Sequence, residues 1–234
     1  MTAPRVRYQT IEFGDVDIHV RTLRDTLQFE DVDGEAEALG ISSASWPIFG
    51  VVWASGRALA NLMATYEIAG RRVLEVGCGI GLASLVLNQR AENITATDYH
   101  PEAAAFLAAN VALNGGKVIP FVRTGWLDAS DELGLFDLII GSDLLYETEH
   151  IGLLSAFINR HAQPTCEVII VDPGRGQKDG GAWLRLPTAG SASRSRWAWS
   201  IAAITRRGPW RPHGARRGRR CTTAWRRLAP VSAT

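Results

Sequence analysis

The chain has 234 residues, 46% of them hydrophobic, enough for one domain with a substantial core and an appendage. Its net charge of +1 conceals an asymmetry, with 12 basic and 23 acidic side chains in residues 1–176 but 13 basic and one acidic in residues 177–234. No apolar run approaches the ~20 residues of a membrane span, "MTAPRVRYQT" lacks the apolar stretch of a secretory signal, and three scattered cysteines (Cys78, Cys166, Cys221) offer neither a disulfide framework nor a metal site, so a cytoplasmic protein without metal or membrane partner is expected.

Residues 1–45 form an N-terminal extension in which "VDIHVRTL" alternates like a half-buried strand. Residues 25–37 contain six acids and no base, which suits a solvated loop or an electrostatic guide for a cationic substrate. A core over 46–176 opens with "PIFGVVWASGRALANLMATYEIAG", whose apolar spacing predicts one helix packed beside the first sheet strand. The pattern from Arg71 to Gly174 then alternates. Strands are predicted at "RRVLEVG", "NITATD", "KVIPFVR", "FDLIIGSD" and "CEVIIVD", and helices at "GLASLVLNQR", "PEAAAFLAANVALNG" and "EHIGLLSAFINRHA". Pro101 suits the first turn of its helix and Gly115 the end. Strands apolar on nearly every residue need covering on both faces, so the fold class is α/β, with a doubly wound, mostly parallel sheet.

After Gly176 the pattern stops. Residues 177–234 contain no Phe, Tyr or Glu and one Val, while Arg, Gly, Pro, Ala, Ser and Trp abound, so a basic irregular tail is expected. Such a tail leaves "CEVIIVD" as an open sheet edge, and its bias toward residues with GC-rich codons points to a shifted reading frame rather than a nucleic-acid-binding arm.

The stretch "RRVLEVGCGIGLAS" places Gly77, Gly79 and Gly81 between a strand and a helix. A dinucleotide fingerprint requires a small residue at the sixth position, where Leu82 stands. Instead, Glu75 precedes the glycines by two residues and Asp98 ends the next strand, where a carboxylate can accept both hydroxyls of a ribose. Two carboxylates beside a glycine turn suit a cationic nucleoside better than a pyrophosphate, and S-adenosylmethionine carries a sulfonium, an ammonium and a ribose.

At these residues the chain resembles the class I, seven-strand S-adenosylmethionine-dependent methyltransferases. "WPIFGVVWASGRALANLM", "VLEVGCGIGLASLVL", "ATDYHPEA", "GWLD" and "FDLIIGSDLLYE" follow one another as in the methyltransferase family 16 group, which includes protein-lysine methyltransferases. The resemblance implies Glu75, Gly77, Gly79 and Gly81 around the methionine part of the cofactor, Asp98 on the ribose, Trp126 and Asp128 near the adenine, and Trp53 at the border. It matches "SDLLY" to an acidic-x-x-Tyr motif, implying Asp143 and Tyr146 as catalytic residues, with Asp143 also touching the cofactor. Tyr99 and His100 are expected as loop residues.

A lysine acceptor fits the mechanism such residues could serve. With a reference pKa near 10.4, holding the amine neutral at about pH 7.4 costs ~4 kcal/mol, and acceptors at the pocket mouth can aim its lone pair. A purely structural Asp143 would cap the helix that follows. A small-molecule acceptor and a cofactor-binding protein without activity stay open. "SDLLY" lacks the Pro-Pro of enzymes that methylate nucleic-acid bases, and nucleic acid is not the expected partner.

Overall fold

The computed structural model describes residues 5–24, 31, 33–43, 45–128, 133–145 and 148–172 and the strand 199–203, with the side chains of 148, 149 and 199–203 left aside. An antiparallel hairpin of β1 (Val6–Phe13) and β2 (Val16–Leu23) comes first. The one-turn helix α1 (Glu35–Ala38), a 3₁₀ turn at Trp46–Gly50 and α2 (Ala54–Met63) lead into the sheet. There β3 (Val73–Val76), α3 (Leu82–Gln89), β4 (Ile94–Asp98), α4 (Ala103–Leu113) and β5 (Phe121–Arg123) alternate outward. The chain then returns through β6 (Phe136–Ser142), α5 (Thr148–His161), β7 (Ala162–Asp172) and β8 (Trp199–Ala203).

The sheet order is β5-β4-β3-β6-β7-β8, and every neighbouring pair is parallel. Because the chain winds from β3 toward β5 and restarts at β6, connections diverge between β3 and β6, and a crevice opens beyond the carboxyl ends of those strands. Side chains alternate between the two faces. Val73, Leu138, Ile140, Ile169 and Val171 join the core beneath α2, α3 and α4, whereas Leu74, Ile139, Val168 and Ile170 join the core with Leu154, Phe157 and Ile158 of α5. The doubly wound expectation is thereby met, since helices cover both faces. Among the described residues no helix is long and apolar enough to cross a membrane, and no group of three metal-ligating side chains occurs.

Three expectations need correction. The helix expected over 47–70 breaks into the 3₁₀ turn and α2, because Val51 and Trp53 are extended (φ −122° and −84°) and only Ser55, Leu59, Ala60 and Met63 form a buried stripe. The strand "KVIPFVR" shortens to Phe121–Arg123; Pro120 has no N–H for the ladder, although its carbonyl accepts the Ala96 amide at 2.9 Å. The edge expected to lie open is paired: β8, inside the tail read as irregular, runs parallel to β7 from Val168↔Trp199 to Asp172↔Ala203. Backbone groups of an apolar edge favour any strand that satisfies them, and "WSIAA" carries β-prone Trp and Ile. The remainder of residues 177–234 lies outside the described residues.

Candidate active site

A cavity of about 740 Å³ opens at this crevice, and Trp53, Glu75, Gly77, Gly79 and Asp98 line it. Three interactions hold its glycine turn. The Gly79 amide donates to Asp98 Oδ2 at 2.7 Å, fastening the turn after β3 to the end of β4. Gly79 has φ +55°, and a Cβ there would stand 2.7 Å from the Phe49 carbonyl oxygen, so the 3₁₀ turn presses on it directly. Asn110 of α4 donates its side-chain amide to the Ile80 carbonyl at 3.1 Å.

Glu75 is 3% exposed and accepts both the Ser84 amide, at 2.9 Å, and the Ser84 hydroxyl through Oε2. Burial pushes its carboxyl up to about 7 despite those donors, and the nearby Asp98 charge adds to the rise. Asp98 is also raised by burial, against the amides of His100 and Gly79 that favour its charged form. Burial first, then the charges of Asp98 and Glu75, keep the Cys78 thiol protonated. A buried carboxyl and a half-buried one, both pushed toward their neutral forms, make a site that a cation stabilises.

Asp143, the first residue after β6, has φ +58°, and its amide donates to the Val171 carbonyl at 3.0 Å. The buried Ser55 hydroxyl donates to Asp143 Oδ2 at 2.5 Å. The carboxylate therefore meets the first turn of α2, whose N-cap residue Trp53 makes no side-chain cap.

Across the mouth, Trp126 stands edge-on to His150 with ring centroids 5.1 Å apart. Arg160 donates to the carbonyls of Trp126 and Asp128 at 2.8 and 3.1 Å. Asp128 Oδ2 accepts the Gly125 amide at 2.5 Å, so this carboxylate closes its own turn. The Trp53 indole donates to the Ile48 carbonyl at 2.9 Å, locking the ring against the 3₁₀ turn while it borders the cavity.

Of the expected site residues, Trp53, Glu75, Gly77, Gly79, Asp98, Trp126, Asp128 and Asp143 share this cavity. Gly81 is not among its lining residues. It starts α3 with φ +77°, and a Cβ there would strike Leu107, so close packing accounts for this glycine. Tyr146 lies outside the described residues. Tyr99 and His100, expected as loop residues, line the cavity as well. His100 stacks on Phe49 (centroids 3.9 Å, 17°), and burial drops its imidazole to about 4. The Tyr99 hydroxyl donates to the Leu39 carbonyl at 2.7 Å, tying the segment after α1 to the cavity wall. Their position two residues or fewer after Asp98 was the available signal.

The glycine turn after β3, the buried Glu75 and the acid ending β4 fit S-adenosylmethionine, and the family comparison places the chain among the methyltransferases that use it. The chain belongs to the lysine methyltransferase family, which it matches over residues 39–181. It is 30% identical over 135 residues to the electron transfer flavoprotein beta subunit lysine methyltransferase of Xenopus laevis, covering 56% of this chain and 54% of that one. It is 34% identical over 118 residues to protein N-lysine methyltransferase METTL21A of Danio rerio, covering 46% and 54%. The chain thus spans about half the length of these curated relatives. Among solved structures, the ribosomal protein L11 methylase of Lactobacillus delbrueckii subsp. bulgaricus aligns with TM-score 0.44 and 26% identity, over 51% of this chain and 61% of that one.

Proposed function

We propose that this protein transfers a methyl group from S-adenosylmethionine to the side-chain amine of a protein lysine, in the cytoplasm. The observation that carries the reading is that the glycine turn, Glu75 and Asp98 open into the same cavity as Asp143. The donor set fits the cofactor: two carboxyls destabilised by their surroundings suit its cations, and the turn around Gly77 and Gly79 brings bare backbone to the cavity wall. When bound, S-adenosylmethionine supplies an electrophilic methyl group.

In this reading Asp98 accepts the ribose hydroxyls, Glu75 offsets the charge of the methionine part, and Trp126 with the Asp128 turn bounds the adenine. Asp143 accepts a hydrogen bond from the acceptor amine, aims its lone pair into the cavity and stabilises the charge that develops on nitrogen, and Tyr146 is assigned to assist it. Ser55 and the Val171 carbonyl hold Asp143 in a left-handed conformation that a free aspartate seldom adopts. The names of the relatives support a protein lysine as acceptor.

The test is transfer of labelled methyl from S-adenosylmethionine to an array of lysine-containing peptides, each matched by an arginine-substituted twin, beside calorimetry with S-adenosylhomocysteine. Label on lysine peptides alone supports the reading. Tight binding with no label on any peptide replaces it with a cofactor-binding protein or a small-molecule methyltransferase.

A further inference from the structure

We infer that Asn110 is a positioning residue for the cofactor: it fixes the peptide plane at the centre of the glycine turn and couples that turn to the N-terminal hairpin. The inference rests on the cofactor site proposed above. Asn110 lies on α4, is 0% exposed, and sits in the core beneath the sheet. A primary amide in such surroundings is costly unless both ends are bonded, and here both are. Its Nδ2 donates to the Ile80 carbonyl at 3.1 Å, while its Oδ1 accepts the Arg21 backbone amide of β2 at 2.7 Å.

Ile80 stands between Gly79 (φ +55°) and Gly81 (φ +77°) and lines the cavity. Glycine enters and leaves the left-handed region at little cost, so the peptide plane between Ile80 and Gly81 has a soft glycine bond on one side, and a hold from outside the turn stiffens it. The Ile80 carbonyl and the Gly81 amide belong to one plane. That amide donates to the Cys78 carbonyl at 2.8 Å, so holding the carbonyl from α4 also sets the amide that closes the turn. Asp98 grips the turn one residue earlier, through the Gly79 amide. Asn110 is the second grip, from a different element.

Asn114, one helical turn further along α4, supplies an internal control. Its Oδ1 accepts the His19 amide at 2.8 Å and its Nδ2 donates to the His19 carbonyl at 2.7 Å, so it clamps the same strand. Among the described residues its hydrogen bonds go to β2, α4 and Gln89, and none to the glycine turn. If the hairpin only stabilises the fold, both asparagines affect stability alone. If Asn110 positions the turn, the two diverge in cofactor binding.

The experiment compares Asn110→Leu and Asn114→Leu in the full chain, by thermal unfolding and by calorimetric titration with S-adenosylhomocysteine. Asn110→Asp, which keeps the acceptor for Arg21 and removes the donor to Ile80, serves as a second probe of the same bond. Both leucine variants are expected to lower Tm. The Asn110 variants weaken S-adenosylhomocysteine on the order of tenfold, the effect of about 1.4 kcal/mol of lost preorganisation, whereas Asn114→Leu leaves it within about twofold. In the wild-type protein, saturating S-adenosylhomocysteine slows hydrogen exchange at the Arg21 amide more than at His19, because coupling between two sites is reciprocal. Unchanged affinity in both Asn110 variants, equal weakening in Asn114→Leu, or equal slowing of exchange by the ligand at Arg21 and His19 would overturn the inference while leaving the cofactor reading intact. A wild-type chain that binds no S-adenosylhomocysteine overturns both.

Discussion

Glu75 and His100 are buried in the same cavity wall and titrate in opposite senses. Glu75 moves from 4.5 up to about 7, so its contribution to stability is present below pH 4.5 and lost as the pH rises through 7. His100 moves from 6.5 down to about 4, so its contribution is present above pH 6.5 and lost as the pH falls through 4. Each effect is on the order of 3 kcal/mol, and between pH 4.5 and 6.5 they offset, which makes Tm a poor reporter of either. Cofactor affinity separates them, because a cationic ligand selects ionised Glu75. S-adenosylmethionine binding should strengthen as the pH climbs through about 7, by at most about tenfold per unit, and lose that slope in Glu75→Gln. The ligand's own amine titrates near ~7.7, so the difference between wild type and variant across pH 6–8.5 is the calorimetric readout, and identical profiles would remove Glu75 from the site. Asp143→Asn should lower turnover on a lysine peptide on the order of a hundredfold, with S-adenosylhomocysteine affinity within about threefold. Parallel loss of both would move Asp143 into the cofactor's own contacts. Glu75 and Asp98 were legible in the sequence, as a carboxylate two residues before the glycines and one at the end of the next strand, while Asp143 was reached through the family resemblance alone. Ser55 and Asn110 were not legible, since each acts on a backbone or carboxylate distant in sequence.

Gly79 and Gly115 show how element packing decides the cost of one chemical change. Both have positive φ, +55° and +61°, but a Cβ on Gly79 would meet the Phe49 carbonyl oxygen at 2.7 Å while one on Gly115 meets nothing within 4 Å. Gly115→Ala should cost about 1 kcal/mol, the penalty of the left-handed region alone. Gly79→Ala adds displacement of the 3₁₀ turn and should cost roughly 2–4 kcal/mol, read by urea unfolding. Equal costs would mean that the Trp46–Gly50 turn yields freely. The turn escaped the sequence reading because its apolar residues continue the spacing of α2, and spacing cannot register the extended Val51 and Trp53 between them. β1 was missed for a related reason. Its apolar residues change parity, with Tyr8 63% exposed and Ile11 and Phe13 buried, so no single alternation runs through "VRYQTIEF". β2, β6 and α3–α5 were legible within a residue or two, since their patterns run unbroken from end to end.

Across the whole molecule the sheet divides the labour of the site. β3 and β4 carry Glu75, the glycine turn and Asp98, whereas β7 carries the Val171 carbonyl that holds the Asp143 amide and Asp172, whose carboxylate accepts the Leu145 amide at 3.3 Å. β8 pairs with Val168–Asp172, the same stretch of β7. The tail therefore reaches, through one strand, the stretch of β7 that holds the Asp143 amide, whatever the origin of its composition. Translating the coding DNA beyond the Gly176 codon in the other two frames tests that origin. A frame that yields a helix and two alternating apolar strands identifies the tail as shifted, and its absence makes the basic tail an integral part of the protein. Truncation after Gly176 tests the physical role. Removing β8 exposes the amides and carbonyls of β7, an edge with four apolar residues in succession from Val168 to Val171, so soluble yield and Tm should fall. Because β4 and β3 lie two or more strands away, S-adenosylhomocysteine affinity should stay within about threefold of the full chain. Methyl transfer to a lysine peptide should fall on the order of tenfold as Asp143 loses the register of its Val171 partner. Binding and transfer lost together would place the effect of β8 on the fold as a whole. Unchanged solubility and transfer would show that the β7–β8 pairing contributes nothing in solution and that the tail is a separate arm.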